Sequence, residues 1–221
     1  MSDVEGFILA GGASSRMGTD KARLTLGTQT FVERIAQALH AITTRISVVS
    51  ARPESIALNL PVLADVYRNC GAMAGLHAAL RACRAPWAAI VSCDLPFVSG
   101  ELFVRLAALR GGDFEVIAPR QVDGRPQPLC ALYKRESCLA RIEKLLRDGE
   151  RRPRVLLQQT HTRWVAPADL ADLRHADLFF LNVNTPEDYE DARRRAAEER
   201  RNAEGGKMKE KAGDRTQQTG K

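Results

Sequence analysis

The chain has 221 residues, 44% of them apolar, which is enough for one α/β domain with a sizeable core. No apolar stretch approaches the ~20 residues of a membrane span, and the acidic start Met1-Ser2-Asp3-Val4-Glu5 lacks the basic, apolar pattern of a signal peptide, so a cytoplasmic protein with no membrane partner is expected. The net charge of +6 comes with no RNP-like aromatic stretch and no zinc-finger spacing, which turns the reading from nucleic acid toward a small substrate carrying several phosphates, over an Arg-rich solvated surface.

Phe7-Ile8-Leu9 predicts a buried strand that delivers the chain into a glycine loop, Leu9-Ala10-Gly11-Gly12 through Asp20-Lys21. Gly11 and Gly12 permit a tight turn with exposed N–H groups. Arg16 and Lys21 add two cations, and donors beside cations suit a polyphosphate. The loop is neither a P-loop nor a G-x-G-x-x-G turn, because Lys21 is followed by Ala22 and the Gly-Gly pair breaks the dinucleotide spacing.

Beyond it, Phe31, Ile35, Leu39 and Ile42 recur at helical spacing, and Ile46–Val49 reads as a strand. Leu60–Leu63 predicts a short third strand ending at Asp65, and Gly71–Gly75 opens a helix through Leu76 and Leu80. Trp87–Cys93 is a continuous apolar run, as for a central strand covered on both faces, and Asp94 follows it at once. Ser99 suits the cap of a helix carrying Leu102, Leu106 and Leu109. Phe114–Ile117 and Leu129–Tyr133 read as strands around an Asp123-Gly124 turn, and 136–148 reads as a helix. Thr185-Pro186-Glu187-Asp188 is a helix start: a cap, a proline in the first turn and two acids. From about Ala196 the chain is almost free of apolar residues, so the expected organisation is one domain over 1–195 and a disordered charged tail over 196–221. Alternating strands and helices predict a single three-layer α/β/α, Rossmann-like domain with a mostly parallel sheet.

In such sheets ligands gather beyond the carboxyl ends of the strands, where Asp94 falls. A carboxylate there suits Mg²⁺ held against a triphosphate, or simply the cap of the turn before Pro96. Asn182 and Asn184 offer amide oxygens to the same ion, or cap the following helix. The five cysteines are scattered without a C-x-x-C, and the four histidines form no H-x-H or H-E-x-x-H pair, so free thiols and no zinc site are expected.

Leu9–Ala22 fills every fixed position of L-A-G-G-x-S-x-R-M-G-x-D-K-A, and so resembles the molybdenum cofactor guanylyltransferases within the nucleotidyltransferase superfamily. Gly71–Leu76 resembles the family's G-P-L-A-G-[LIM] string, with Ala72 and Met73 in place of Pro-Leu. Ser92–Pro96 resembles its metal-binding C-D-x-P string, Asn182–Asp188 its N-x-N-T-P-E-[DE] string, and Arg125–Leu129 its [RQ]-x-[HQ]-P-L segment. The resemblance implies transfer of GMP from GTP to the phosphate of molybdenum-molybdopterin, forming the guanine dinucleotide cofactor and pyrophosphate. It implies nucleotide contacts from Leu9, Ala10, Gly11, Gly12, Lys21, Asp65, Gly75 and Asp94, with Asp65 at the base or ribose. It further implies catalytic roles for Arg16, Lys21 and Asp94, Mg²⁺ held by Asp94 with Asn182 and Asn184, and Arg125 and Gln127 facing the pterin. Asp65 equally fits a plain turn, and Arg125 and Gln127 a polar hairpin.

Molybdopterin-loading proteins and recipient molybdoenzymes are the implied protein partners, and nucleic acid is not. The competing readings are a relative that uses CTP or another phosphate or alcohol acceptor, and a non-catalytic nucleotide-binding module that delivers cofactor. Gly11 where cytidylyl members read L-A-A-G disfavours the first, and intact Asp94 and Lys21 disfavour the second.

Overall fold

The computed structural model describes residues 3–10, 21–51, 59–65, 67, 70–199 and 201. Strand β1 (Val4–Leu9) lies between β4 (Ile46–Ser50) and β6 (Trp87–Ser92), parallel to both. With β5 (Val62–Ala64), β7 (Val116–Pro119), β8 (Cys130–Lys134) and β9 (Thr162–Val165) they form a seven-stranded sheet in the order β5-β4-β1-β6-β8-β7-β9. β8 runs antiparallel to both its neighbours, β6 and β7, while the other pairings are parallel. The predicted α/β class and mostly parallel sheet are therefore what the chain forms.

Every residue of β1 is buried, which explains the apolar run that signals it. Glu5 is the polar member, and it is satisfied rather than exposed. Its carboxylate accepts from Arg45 Nη1 at 3.1 Å and from the Arg84 N–H at 2.8 Å. Gly6 gives helix α1 (Phe31–Leu39) its close approach, since a Cβ there would sit 3.2 Å from Leu39 Cδ1 and 3.3 Å from Ile46 Cγ1.

Successive residues of a strand point to opposite faces. Ile8, Val48, Ala89 and Val91 pack on one face with α1 and α3 (Gly100–Ala108). Phe7, Leu9, Val49 and Ile90 pack on the other with α2 (Gly71–Ala82), α4 (Arg135–Arg147) and α5 (Pro153–Gln159). Helix starts follow local chemistry: the Thr30 hydroxyl accepts from the Glu33 N–H while the Glu33 carboxylate accepts from the Thr30 N–H, and Ser99 Oγ accepts from the Leu102 N–H. Glu33 titrates below its ordinary value, because the Thr30 N–H and hydroxyl donate to the ionised form.

The last helix, α6, covers 186–199 and passes the expected domain boundary at 195. Ala192 and Ala196 are buried against Leu24, Leu26, Phe31 and Phe97 in a third apolar cluster. The Tyr189 hydroxyl donates to the Thr25 carbonyl at 2.9 Å, which fastens α6 to the small hairpin of β2 (Thr25–Leu26) and β3 (Gln29–Thr30). Glu199 lies 3.6 Å from the Arg34 guanidinium and 4.0 Å from His175. The boundary at 195 missed this turn because small alanines, not large apolar residues, make its contact. Most of the expected tail lies outside the described residues.

Ala196→Glu should therefore lower stability by at least ~1 kcal/mol, more than Glu199→Gln, which keeps the side chain's shape and loses only the charge facing Arg34 and His175. Urea unfolding of the two variants checks this. Equal stabilities would show that α6 ends before Ala196 in solution.

Candidate active site

The carboxyl ends of β1, β4 and β6 are level. Leu9 pairs with Val49 on one side and Ser92 on the other. Backbone bonds continue past the strands, from the Ala10 N–H to the Val49 carbonyl at 2.8 Å and from the Cys93 N–H to the Leu9 carbonyl at 3.0 Å. A narrow cleft opens at this edge, lined by Leu9, Val49, Asp65, Gly71, Gly75 and Ser92 among others. Gly71 opens α2 at φ +55°, a left-handed value that favours glycine. The Cys70 side chain does not cap α2, whose start lines the cleft. Ala72 and Met73, where the resemblance has Pro-Leu, sit in that first turn, and Met73 is fully buried in the core. The departure is a repacking that keeps the helix start. Gly75 packs on Leu9, which a Cβ would touch at an ordinary 3.5 Å.

Asp94 stands in the turn after β6, closed by the Leu95 N–H on the Ser92 carbonyl at 3.2 Å. It is half-buried, and its carboxylate accepts no hydrogen bond from the described residues, so it does not cap that turn. Its backbone carbonyl instead accepts from the Val183 N–H at 2.9 Å, which places the 182–184 segment beside the end of β6. Val183 is buried, and Asn182 and Asn184 on either side of it are exposed. The two asparagines are not equivalent. Asn182 uses its Nδ2 to reach the Phe180 carbonyl at 3.3 Å and is left with its amide oxygen, whereas Asn184 Oδ1 accepts from Lys21 Nζ at 2.6 Å.

That bond joins the glycine loop to the start of α6. Asp188 completes the junction by accepting from the Asn184 and Thr185 N–H groups, both at 2.9 Å, while its own N–H donates to Thr185 Oγ1 at 3.1 Å. The Asn184 N–H, then the Thr185 donors and the Lys21 charge, hold its carboxyl below the ordinary 3.8. Sequence reasoning read Asp188 only as a first-turn acid; its part in fixing Asn184 needed the fold.

Among the described residues no group of three or more His, Cys, Asp or Glu could hold a metal. A cation here would rely on Asp94 and amide oxygens. That set of hard oxygen donors fits Mg²⁺ and does not fit a thiophilic ion. All five cysteines are free, as expected, and burial pushes the Cys83, Cys130 and Cys138 thiols up to about 12, which removes them as nucleophiles.

Gln127 is half-buried beside β7, its N–H donating to the Pro119 carbonyl at 2.9 Å. Arg125 follows the Asp123-Gly124 turn. It is exposed, and its guanidinium is paired with the Asp123 carboxylate within the same turn, so no contact among the described residues brings it to Asp94. Gly11, Gly12 and Arg16 lie outside the described residues. Arg120, which sequence reasoning passed over, stacks 3.9 Å from the Trp164 ring centre at the ends of β7 and β9. Nothing in its spacing signals that contact.

A mostly parallel sheet with an acidic strand end, an uncapped helix start and a lysine at one carboxyl edge defines an α/β nucleotidyltransferase. A family model described as the MobA-like NTP transferase domain matches residues 6–164, and the chain belongs to that family. A protein of Bacillus cereus (strain ZK / E33L) named probable molybdenum cofactor guanylyltransferase is 33% identical over 200 residues, covering 88% of this chain and 98% of its own. A protein of the same name from Bacillus anthracis (strain CDC 684 / NRRL 3495) is 34% identical over 201 residues, at 88% and 98% coverage. Among solved structures, molybdopterin-guanine dinucleotide biosynthesis protein A from Archaeoglobus fulgidus superposes with a TM-score of 0.73 at 24% identity, covering 88% of this chain and 99% of that one. The 2-C-methyl-D-erythritol 4-phosphate cytidylyltransferase of Thermus thermophilus superposes at 0.62 with 17% identity, covering 87% and 98%. These two structural likenesses establish the fold, which serves more than one base.

Asp188→Ala should cost about 1 kcal/mol by removing the acceptor of the Asn184 and Thr185 N–H groups, the reciprocal half of the Thr185 cap. The lowered pKa sets the sign with pH: the cap's contribution is full above 3.8 and is lost as pH falls through the lower folded value. Denaturant titrations at pH 7 and at successively lower pH should thus show the gap between the two proteins narrow in acid. A gap that persists there would show that the carboxylate is not the stabilising form.

Proposed function

We propose that this nucleotidyltransferase moves GMP from GTP to the terminal phosphate of molybdenum-molybdopterin, releasing pyrophosphate. The observation that carries the reading is the meeting of Asp94, Lys21 and Asn184 around one carboxyl edge, in a chain a third identical over nearly its whole length to proteins named for that reaction.

The triphosphate enters the edge between β1, β4 and β6, with Asp65 and the start of α2 on the base or ribose side. Lys21, with Arg16 of the glycine loop, offsets charge on the β- and γ-phosphates. A phosphate oxygen of the pterin attacks the α-phosphorus in line. The new P–O bond forms as the bond to the β-phosphate oxygen breaks, and the electron pair leaves on pyrophosphate. No protein nucleophile is needed; positioning and charge neutralisation carry the reaction. Asp94, with the open amide oxygen of Asn182, would hold Mg²⁺, which supplies further charge neutralisation on the triphosphate. Lys21 takes one lone pair of the Asn184 oxygen, and the second is left for the ion. Gln127 and Arg125 on the β7–β8 turn face the pterin, Arg125 exchanging its exposed pairing with Asp123 for the pterin phosphate.

Pyrophosphate release from GTP, CTP and ATP in turn, with loaded molybdopterin and Mg²⁺, tests the reaction; release from GTP is expected, and release from CTP alone would overturn the base assignment. Lys21→Ala should weaken GTP binding by roughly 10- to 150-fold, the loss of one charge-assisted contact of ~1.5–3 kcal/mol, without unfolding the protein. Asp94→Asn should lose far more rate than affinity and require more Mg²⁺, as shown by a magnesium titration of turnover beside thermal unfolding. A mutant with wild-type rate and magnesium dependence would remove Asp94 from the metal.

A further inference from the structure

His77 is the buried polar group that the reaction leaves unexplained. It lies on α2, about 1% exposed, and neither ring nitrogen has a hydrogen-bond partner among the described residues. Glu143 on α4 stands 3.7 Å from Nε2, beyond a direct bond. Burial pushes the imidazole's pKa below 6.5, with Arg81 acting in the same direction and Glu143 opposing, so the ring is neutral at pH 7. An apolar side chain would fill this place without stranding two polar atoms.

What the ring does make is an edge-on contact with Tyr67, centroid to centroid at 4.8 Å and 88°. That is a favoured aromatic geometry. Tyr67 is half-buried and belongs to the segment between Asp65 and Gly71, both of which line the cleft. Tyr67 lies two positions after Asp65 in the chain, which keeps the two within ~7 Å of each other. His77 meanwhile is fixed in α2, the helix whose first turn forms the cleft's other wall.

We propose that Tyr67 and His77 are a positioning pair: their ring contact holds the Asp65 segment against α2, and so sets nucleotide affinity without touching the nucleotide. The proposal rests on the reading of Asp65 as a nucleotide contact. Calorimetric titration of the full chain with GTP and Mg²⁺, beside steady-state turnover, tests it. Tyr67→Ala and His77→Ala should each weaken GTP binding and raise KM by ~2- to 12-fold, the worth of one aromatic pair, with kcat at saturating GTP unchanged. The double variant should be no weaker than either single one. Tyr67→Phe and His77→Phe keep ring against ring and should restore wild-type affinity, and His77→Phe should also melt higher. If His77→Ala fails to fold, Tyr67→Ala and the two phenylalanine variants still decide.

Asp65→Ala separates the two levels. If it weakens GTP binding and Tyr67→Ala does not, the pair is overturned and the site reading stands. If Asp65→Ala binds GTP like wild type, the site reading fails and the proposal falls with it. With both intact, Tyr67→Ala should have no further effect in an Asp65→Ala background.

Discussion

The parallel pairing of β1 with β4 on one side and β6 on the other is the constraint on which the site depends. Three strands in register end together at Leu9, Val49 and Ser92, and backbone bonds beyond them hold the exits of the chain in a fixed order. Each exit then contributes a different chemistry: a glycine loop from β1, a carboxylate from β6, and, past β4 and β5, the turn that leads to α2. The buried faces of the same strands set how far apart these exits can move, because a slip by one residue would turn Phe7 and Leu9 toward the wrong helices.

The second half of the molecule serves the first by covering it. β8 runs against the sheet's direction, and the Ser92 N–H donates to the Leu129 carbonyl at 2.8 Å, so the strand that follows the β7–β8 turn seals the far side of the cleft. α6 packs on the β2–β3 hairpin through a third apolar cluster, and the segment before it presents Asn184 to Lys21. The site is thus built from one fixed edge and two applied covers, each held by a backbone hydrogen bond or a small apolar patch.

The fold was largely legible in the sequence. The strands that carry the site are buried on both faces, and such strands write themselves as continuous apolar runs, as Trp87–Ser92 does. The helices with plain caps, at Ser99 and Thr185, were equally readable. The stretch from 149 to 178 was not: α5 is short and opens on Pro153, and β9 mixes Arg163 with Trp164 at a sheet edge, so neither offers a period. Within the site, Asp94, Lys21 and Asp65 announce themselves by following strands or a glycine loop. The pairing of Arg125 with Asp123, the division of labour between Asn182 and Asn184, and the capture of Lys21 are matters of side-chain choice among several reachable partners, which spacing does not encode. His77 is the plainest case: nothing in its helical position signals the Tyr67 ring that it meets.

The bond between Lys21 and Asn184 spans 163 residues, and that between Tyr189 and Thr25 spans 164. Chains are synthesised from the N-terminus, and domains begin to organise as they emerge. Every strand of the sheet can therefore assemble on the ribosome while the β2–β3 hairpin still exposes Leu24, Leu26 and Phe31 to water. The segment that covers them follows every strand of the sheet in chain order. A nascent chain stalled short of α6 carries a finished sheet, an open apolar patch and a lysine without its partner. Closure of that patch therefore joins elements that lie far apart in the order of synthesis.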